Sequence, residues 1–164
     1  VKLVYNPLTV KDNNNVIETR VITLDAGSQM NKYTIIYDNL TEATPVVTGI
    51  VLHEPSKDYQ VDAAKGYIAY ADPVDPTNGQ IYIAAIFPEK VNDAKAVVFS
   101  DKEKAERGAD GHVLAYSTYN PGSSYTYYSG AGWSKWGFEN SGIWVEYVQK
   151  FAQNLKEPWI VTIE

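Results

Sequence analysis

The sequence predicts a mostly β, antiparallel sandwich of the supersandwich kind, carrying one amphipathic helix near its C-terminal end. Three observations predict it. Short runs of β-branched and aromatic residues recur every dozen or so positions, with turn sequences between them. No long helical period intervenes before Asn140. Rings that suit pleated surfaces are abundant, with 13 Tyr and 4 Trp against 4 Phe and 1 Met. At 164 residues the chain reads as a single domain, residues 1–164, long enough to bury a real core.

The chain opens at Val1 in strand-like sequence. Strands follow at Val16–Leu24 and Lys32–Tyr37, joined by the turn residues Asp25-Ala26-Gly27-Ser28. Pro45–His53 is a nearly continuous apolar run and reads as a fully buried strand, with Gly49 marking a bulge or a close backbone approach. Gly66–Ala71 and Gln80–Phe87 flank a loop with two prolines and an Asn78-Gly79 turn. Ala96–Phe99, His112–Tyr119 and Tyr125–Tyr128 are further strands, and Trp159–Ile163 is the last. The mixed-charge stretch Asp101–Arg107 reads as a solvated turn or short helix. From Gly142 to Leu155, Trp144, Val148, Phe151, Ala152 and Leu155 share one helical face. Asn140 or Ser141 caps the start, and Lys156 with Pro158 marks the end.

Composition removes several function classes. A net charge of −6 with no basic stripe argues against a nucleic-acid partner. There is no cysteine, so thiolate catalysis, disulfides and thiolate metal sites are excluded. No run approaches a membrane span of roughly 18 apolar residues. Phosphate-loop, His-x-x-x-His and Gly-x-Ser-x-Gly patterns are missing, so neither a metal nor a cofactor is expected. No basic-then-apolar leader precedes Val1, which reads as a trimmed or partial chain.

What remains is a scatter of polar and aromatic residues that only a fold can assemble. His53 ends the Pro45–His53 run, where a sheet presents functional groups, and reads either as an acid/base or as a strand-end structural histidine. His112 follows a turn and is more simply structural. Arg20 lies mid-strand on the face of Glu18 and Ile22. Its charge needs a partner across the sheet or a sugar carboxylate, which its planar fork fits. The densest constellation runs from Tyr125 to Gly137, where Gly130 and Gly132 lead into an aromatic loop. Trp133, Trp136, Tyr128 and, from the preceding strand, Tyr119 are candidate sugar contacts, with Lys135 beside them. Against that, Trp133 serves equally well as a plug between helix and sheet, whereas Trp136 is expected to be exposed.

His112-Val113-Leu114-Ala115, then Tyr127-Tyr128-Ser129-Gly130-Ala131-Gly132-Trp133-Ser134-Lys135, the helix, and Pro158–Ile163 together resemble the bacterial domain-of-unknown-function family numbered 4861. Glu18-Thr19-Arg20, Leu24–Gln29 and Gly49–His53 fit the same pattern, so the likeness spans the chain. A first helical turn without an acidic residue departs from it. The resemblance implies a galactose-mutarotase-like supersandwich, of which this chain would be the C-terminal part. It also implies a periplasmic or secreted setting in polysaccharide degradation.

Three functions then compete. The first is a carbohydrate-active enzyme domain acting on a uronate-containing or other complex glycan, with His53 as acid/base and Arg20 or Lys135 holding an anionic group. The second is a non-catalytic binding module, and the third a structural accessory. Carbohydrate is the expected partner. A missing N-terminal half or a partner chain is expected to cover an exposed apolar sheet face.

Overall fold

The computed structural model describes residues 1–53, 57–157, 160 and 162. In chain order its elements are β1 (Lys2–Val4), β2 (Leu8–Val10), β3 (Asn13–Leu24), β4 (Met30–Asp38), β5 (Thr44–Leu52) and β6 (Tyr59–Asp62). They continue with β7 (Tyr67–Ala71), β8 (Ile81–Ile86), β9 (Asp93–Val98), α1 (Asp101–Arg107), β10 (Gly111–Tyr119), β11 (Tyr125–Trp133) and α2 (Ser141–Lys156). The larger sheet has the order β1-β3-β4-β11-β8-β7-β6, with β2 paired onto β3; the smaller is β5-β10-β9. Every strand pairing described is antiparallel.

Alternation along β7 and β8 explains the layering. Side chains of successive strand residues point to opposite faces, yet all five residues of β7 are buried. Ile68 and Tyr70 pack toward Val113 and Ala115 of the smaller sheet, in one apolar cluster. Tyr67, Ala69 and Ala71 pack in a second cluster with Trp144, Val148 and Ala152 of α2. The molecule is therefore a β-sandwich with a helix laid on its far side.

The helix is capped as the sequence predicts, Asn140 accepting from the Ile143 N–H. Its seating depends on β11. A Cβ at Gly132 would stand 2.7 Å from Trp144 Cε3 and 2.8 Å from Phe138 Cδ2. Gly130 in turn lies against the Gln29 backbone and the Met30 sulfur. These glycines do not open a loop, because β11 continues as strand through Trp133. The residue plugging helix to sheet is Trp144, 1 % exposed and edge-on to Phe138 at 4.9 Å.

Four further expectations need correction or completion. The Pro45–His53 run is not a fully buried strand. As β5 it is the outer strand of a three-stranded sheet, and its residues alternate, with Ile50 and Leu52 inward and Val47 and Val51 outward. Antiparallel sheets commonly pack one face on the core and leave the other to solvent, and Val47 and Val51 stand on the solvated face. Gly49 marks a close approach rather than a bulge, since the β5–β10 register is continuous and a Cβ would meet Leu114 at 2.8 Å. The stretch Asp101–Arg107 is a short helix, fixed by a capping box between Ser100 and Glu103. The last predicted strand rests on Trp159, Val161 and Ile163, which lie outside the described residues.

Gly132→Ala is expected to lower stability by about 1–3 kcal/mol through overpacking under α2, although Ala normally outperforms Gly within a strand. Urea unfolding of the variant checks this, and an unchanged midpoint would contradict the seating described.

Candidate functional site

The larger sheet is wider than its cover, and the uncovered part of its inner face carries the candidate site. Register fixes which side chains share that face. Arg20, Ile35 and Tyr125 form one row across β3, β4 and β11; Ile22, Tyr33 and Tyr127 form the next. Ile35 and Tyr125 belong to the apolar cluster beneath the smaller sheet, with Tyr37 and Tyr127 packed against it. Arg20, Tyr33 and Tyr127 therefore look into the same groove, along the free edge of β5. Tyr33 and Tyr127 stack at 4.8 Å with rings 2° from parallel. Above Arg20, β5 residues Pro45–Gly49 help close a hollow of about 400 Å³ that Tyr37, Tyr125 and Tyr127 also line. Thr48 Oγ1 and the Tyr125 hydroxyl lie 3.1 Å apart and join roof to floor.

Arg20 is paired along its own strand rather than across the sheet. Its Nε and Nη2 donate to Glu18 Oε1 at 3.0 and 2.6 Å. Positions two apart share a face, so the pair is built into the period of β3. Glu18 is only 7 % exposed, which makes the guanidinium its necessary counterion. Burial pulls the Arg20 pKa down, but the Glu18 bond and charge outweigh it and the net shift is upward. The Tyr37 phenol is pushed far up, first by burial and then by the Glu18 carboxylate it contacts. Burial likewise raises Tyr125 and Tyr127. These phenols stay protonated at neutral pH and act as hydrogen-bond donors, not as bases.

His53 stands at the other end of β5. The buried Tyr70 hydroxyl fixes its backbone, accepting from His53 N at 2.9 Å and donating to His53 O at 2.8 Å. Its Nδ1 lies 2.8 Å from Asp72 Oδ1, with the ring more than half exposed. A proton on Nδ1 donated to Asp72 leaves Nε2 to take or release another. Asp72 opens the β7–β8 loop, and that loop carries the aromatic end of β11. Trp133 Nε1 donates to Asn78 O at 2.7 Å, and Lys135 Nζ donates to Thr77 O. By alternation along β11, Trp133 shares the face of Tyr125 and Tyr127. The helix packs on the opposite face, and Trp133 is 40 % exposed.

The structure thus brings Trp133 and Lys135 together on one loop and sets His53 against Asp72 at that loop's start. Arg20 lies apart, over β5 residues Val46 and Val47. Val47 and His53 are six residue steps apart, about 20 Å at ~3.3 Å each. Trp136 is exposed on the hairpin beyond Trp133. Tyr128 and Tyr119 do not join the groove. Tyr128 points to the helix side, edge-on to Phe151 at 5.2 Å. Tyr119 is 1 % exposed and its hydroxyl ties β4 to the β10–β11 turn through Tyr37 N and Ser123 O. His112 packs edge-on to Phe99. Sequence reasoning missed Glu18 as the Arg20 partner, Asp72, and the tyrosines at 33, 37 and 127. The alternate-position rhythm of 33, 35, 37 and of 125, 127 is the signal that pointed to a shared face.

Among the described residues no group of three or more His, Asp or Glu side chains could hold a metal ion. No helix there is long and apolar enough to cross a membrane.

Asp75 organises the loop beneath Trp133. It accepts from Asn78 N and Thr77 N at 2.5 and 2.8 Å, bonds that, with the Lys135 charge, hold its carboxyl below the usual range. A depressed folded pKa gives stabilisation that is present above the unfolded value, near 3.8, and lost as pH falls through the folded one. The Trp133 indole N–H is therefore expected to stay protected from hydrogen exchange at pH 5 and to lose protection only on acidification below about 4. Asp75→Ala should remove that acid step; an identical profile in the variant would contradict the anchoring role.

No curated protein matches the chain. The family described as Domain of unknown function (DUF4861) matches residues 1–161, with the Glu18–Arg20 pair, the β5 strand, the glycines of β11 and the Trp133 hairpin all inside the match, and the chain belongs to that family.

Proposed function

We propose that this chain is a carbohydrate-active domain of a bacterial polysaccharide-degradation system, laying a glycan along the groove beside β5. The observation that carries the reading is the row of rings and hydrogen-bonding groups on one open sheet face, from the Arg20–Glu18 pair past Tyr33 and Tyr127 to Trp133. Sugar C–H faces pack on aromatic rings while hydroxyls take polar partners, and protonated phenols supply donors. An open groove suits a chain better than a single small molecule. A periplasmic or secreted setting goes with such a substrate.

At the Trp133 end, the His53–Asp72 pair supplies acid/base chemistry. Asp72 orients the imidazole, and Nε2 exchanges a proton with a ring hydroxyl or a sugar carbon acid. The separation of Arg20 from His53 favours a second reading, in which the groove only binds and any catalysis belongs to another domain. The two differ in whether His53 matters for turnover.

Trp133→Ala is expected to weaken oligosaccharide binding by about 1–3 kcal/mol. It should cost folding stability only about 1 kcal/mol, because the ring is part-exposed and loses one hydrogen bond. Trp144→Ala should do the reverse, costing about 3–5 kcal/mol of stability. Calorimetric titration against a glycan panel and urea unfolding of both variants check this. A Trp133 variant with lost stability and intact affinity would remove the ring from the site. His53→Gln should abolish product release while keeping affinity; unchanged turnover would leave the binding-module reading.

A further inference from the structure

We infer that the groove selects neutral glycans and excludes uronate chains, an inference that rests on the glycan reading above and narrows its substrate class. The sequence alone makes Arg20 look like a fork waiting for a sugar carboxylate. The fork is already taken. Nε and Nη2 both engage Glu18 Oε1, and the guanidinium carbon lies 5.3 Å from the centre of the Tyr5 ring.

A ligand carboxylate could claim the Nε–Nη2 edge of Arg20 only by displacing Glu18. That would strand a carboxylate that is 7 % exposed and has no other cation in contact. At the far end the charged groups have partners of their own. Lys135 donates to the Thr77 carbonyl and lies in the field of Asp75. His53 is engaged by a carboxylate of its own, Asp72.

Among the described residues placed on the groove face by strand register, the charged ones are Glu18 and Arg20, and they cancel. A polyuronate would bring a negative charge on each residue to a face whose register-placed cation is already matched by Glu18, and like-charge juxtaposition suppresses binding. Neutral hydroxyls need no counterion. The spare guanidinium N–H groups, the Tyr37 and Tyr127 phenols and the Tyr33, Tyr127 and Trp133 rings offer donors and flat apolar faces, which is what an uncharged sugar chain uses.

The test is calorimetric titration of the purified chain with length-matched neutral oligosaccharides (gluco-, xylo-, manno- and galacto-configured) and with uronate oligosaccharides of the galacturonate, glucuronate and mannuronate types. Wild type is expected to bind at least one neutral series at least about tenfold tighter than any uronate series. Glu18→Gln keeps the side-chain shape and an acceptor but frees the Arg20 charge. It should narrow or invert that ratio by about tenfold, and the gain for uronates should fade with added salt. Thermal melting of the variant confirms folding. Should Glu18→Gln fail to fold, the wild-type ratio alone decides. Tighter wild-type binding of uronates, weakened by salt, overturns the neutral selectivity and leaves the glycan reading standing. Binding to neither class overturns both.

Discussion

An eight-stranded sheet covered on its inner face by only three strands leaves floor without roof, and the candidate site follows from that mismatch. Over β7 and β8 both faces are sealed, by β5 and β10 on one side and α2 on the other, so even Tyr70 and Tyr82 are buried there. Over β3, β4 and β11 the roof ends at the free edge of β5. Residues on the inner face of those strands are then neither core nor ordinary surface. They are part-buried rings and charges that must satisfy each other while still meeting solvent, the setting in which a hydroxyl-rich ligand competes well with water.

Two local devices hold that floor in place. The Glu18–Arg20 pair neutralises a charge on a part-buried face, and its i, i+2 spacing means that no other element has to supply the partner. The bare backbone at Gly130 and Gly132 lets Met30, Phe138 and Trp144 close against β11 from behind. With α2 seated on that side, the rings of β11 that face forward are free to line the groove. Tyr70 completes the frame by bolting the end of β5, and with it His53, to the sheet floor.

Much of the architecture was legible in the sequence, because period two and period 3.6 are written directly in the order of apolar residues. The strands beginning near residues 16, 32, 66, 80, 112 and 125 and the helix from Ser141 all lie where the pattern places them. β5 was misread because Val47 and Val51 continue the apolar run on a face that this fold leaves uncovered; an edge and a centre strand look alike when both faces are hydrophobic. β2 and β6, three and four residues long, are too short to signal themselves. The site was half legible. Arg20, His53 and Trp133 stood out as residue types, and Arg20 lines the hollow beside β5. Their partners Glu18 and Asp72 did not, since one lies two positions along the strand and the other is reached only when two sheets pack. Tyr128 and Tyr119 were misplaced for a simpler reason: thirteen tyrosines share a few surfaces, and only register tells which face each one takes.

If ligand contacts the inner face of β11, on the side away from α2, the indole N–H resonances of the four tryptophans will report it. In a titration of the isotope-labelled chain with a neutral oligosaccharide that binds, the Trp133 signal should move and broaden progressively. The Trp144 signal, from a ring 1 % exposed under the helix, should stay where it is. Movement of Trp144 with Trp133 unperturbed would place the ligand on the helix side of the sheet and contradict the account.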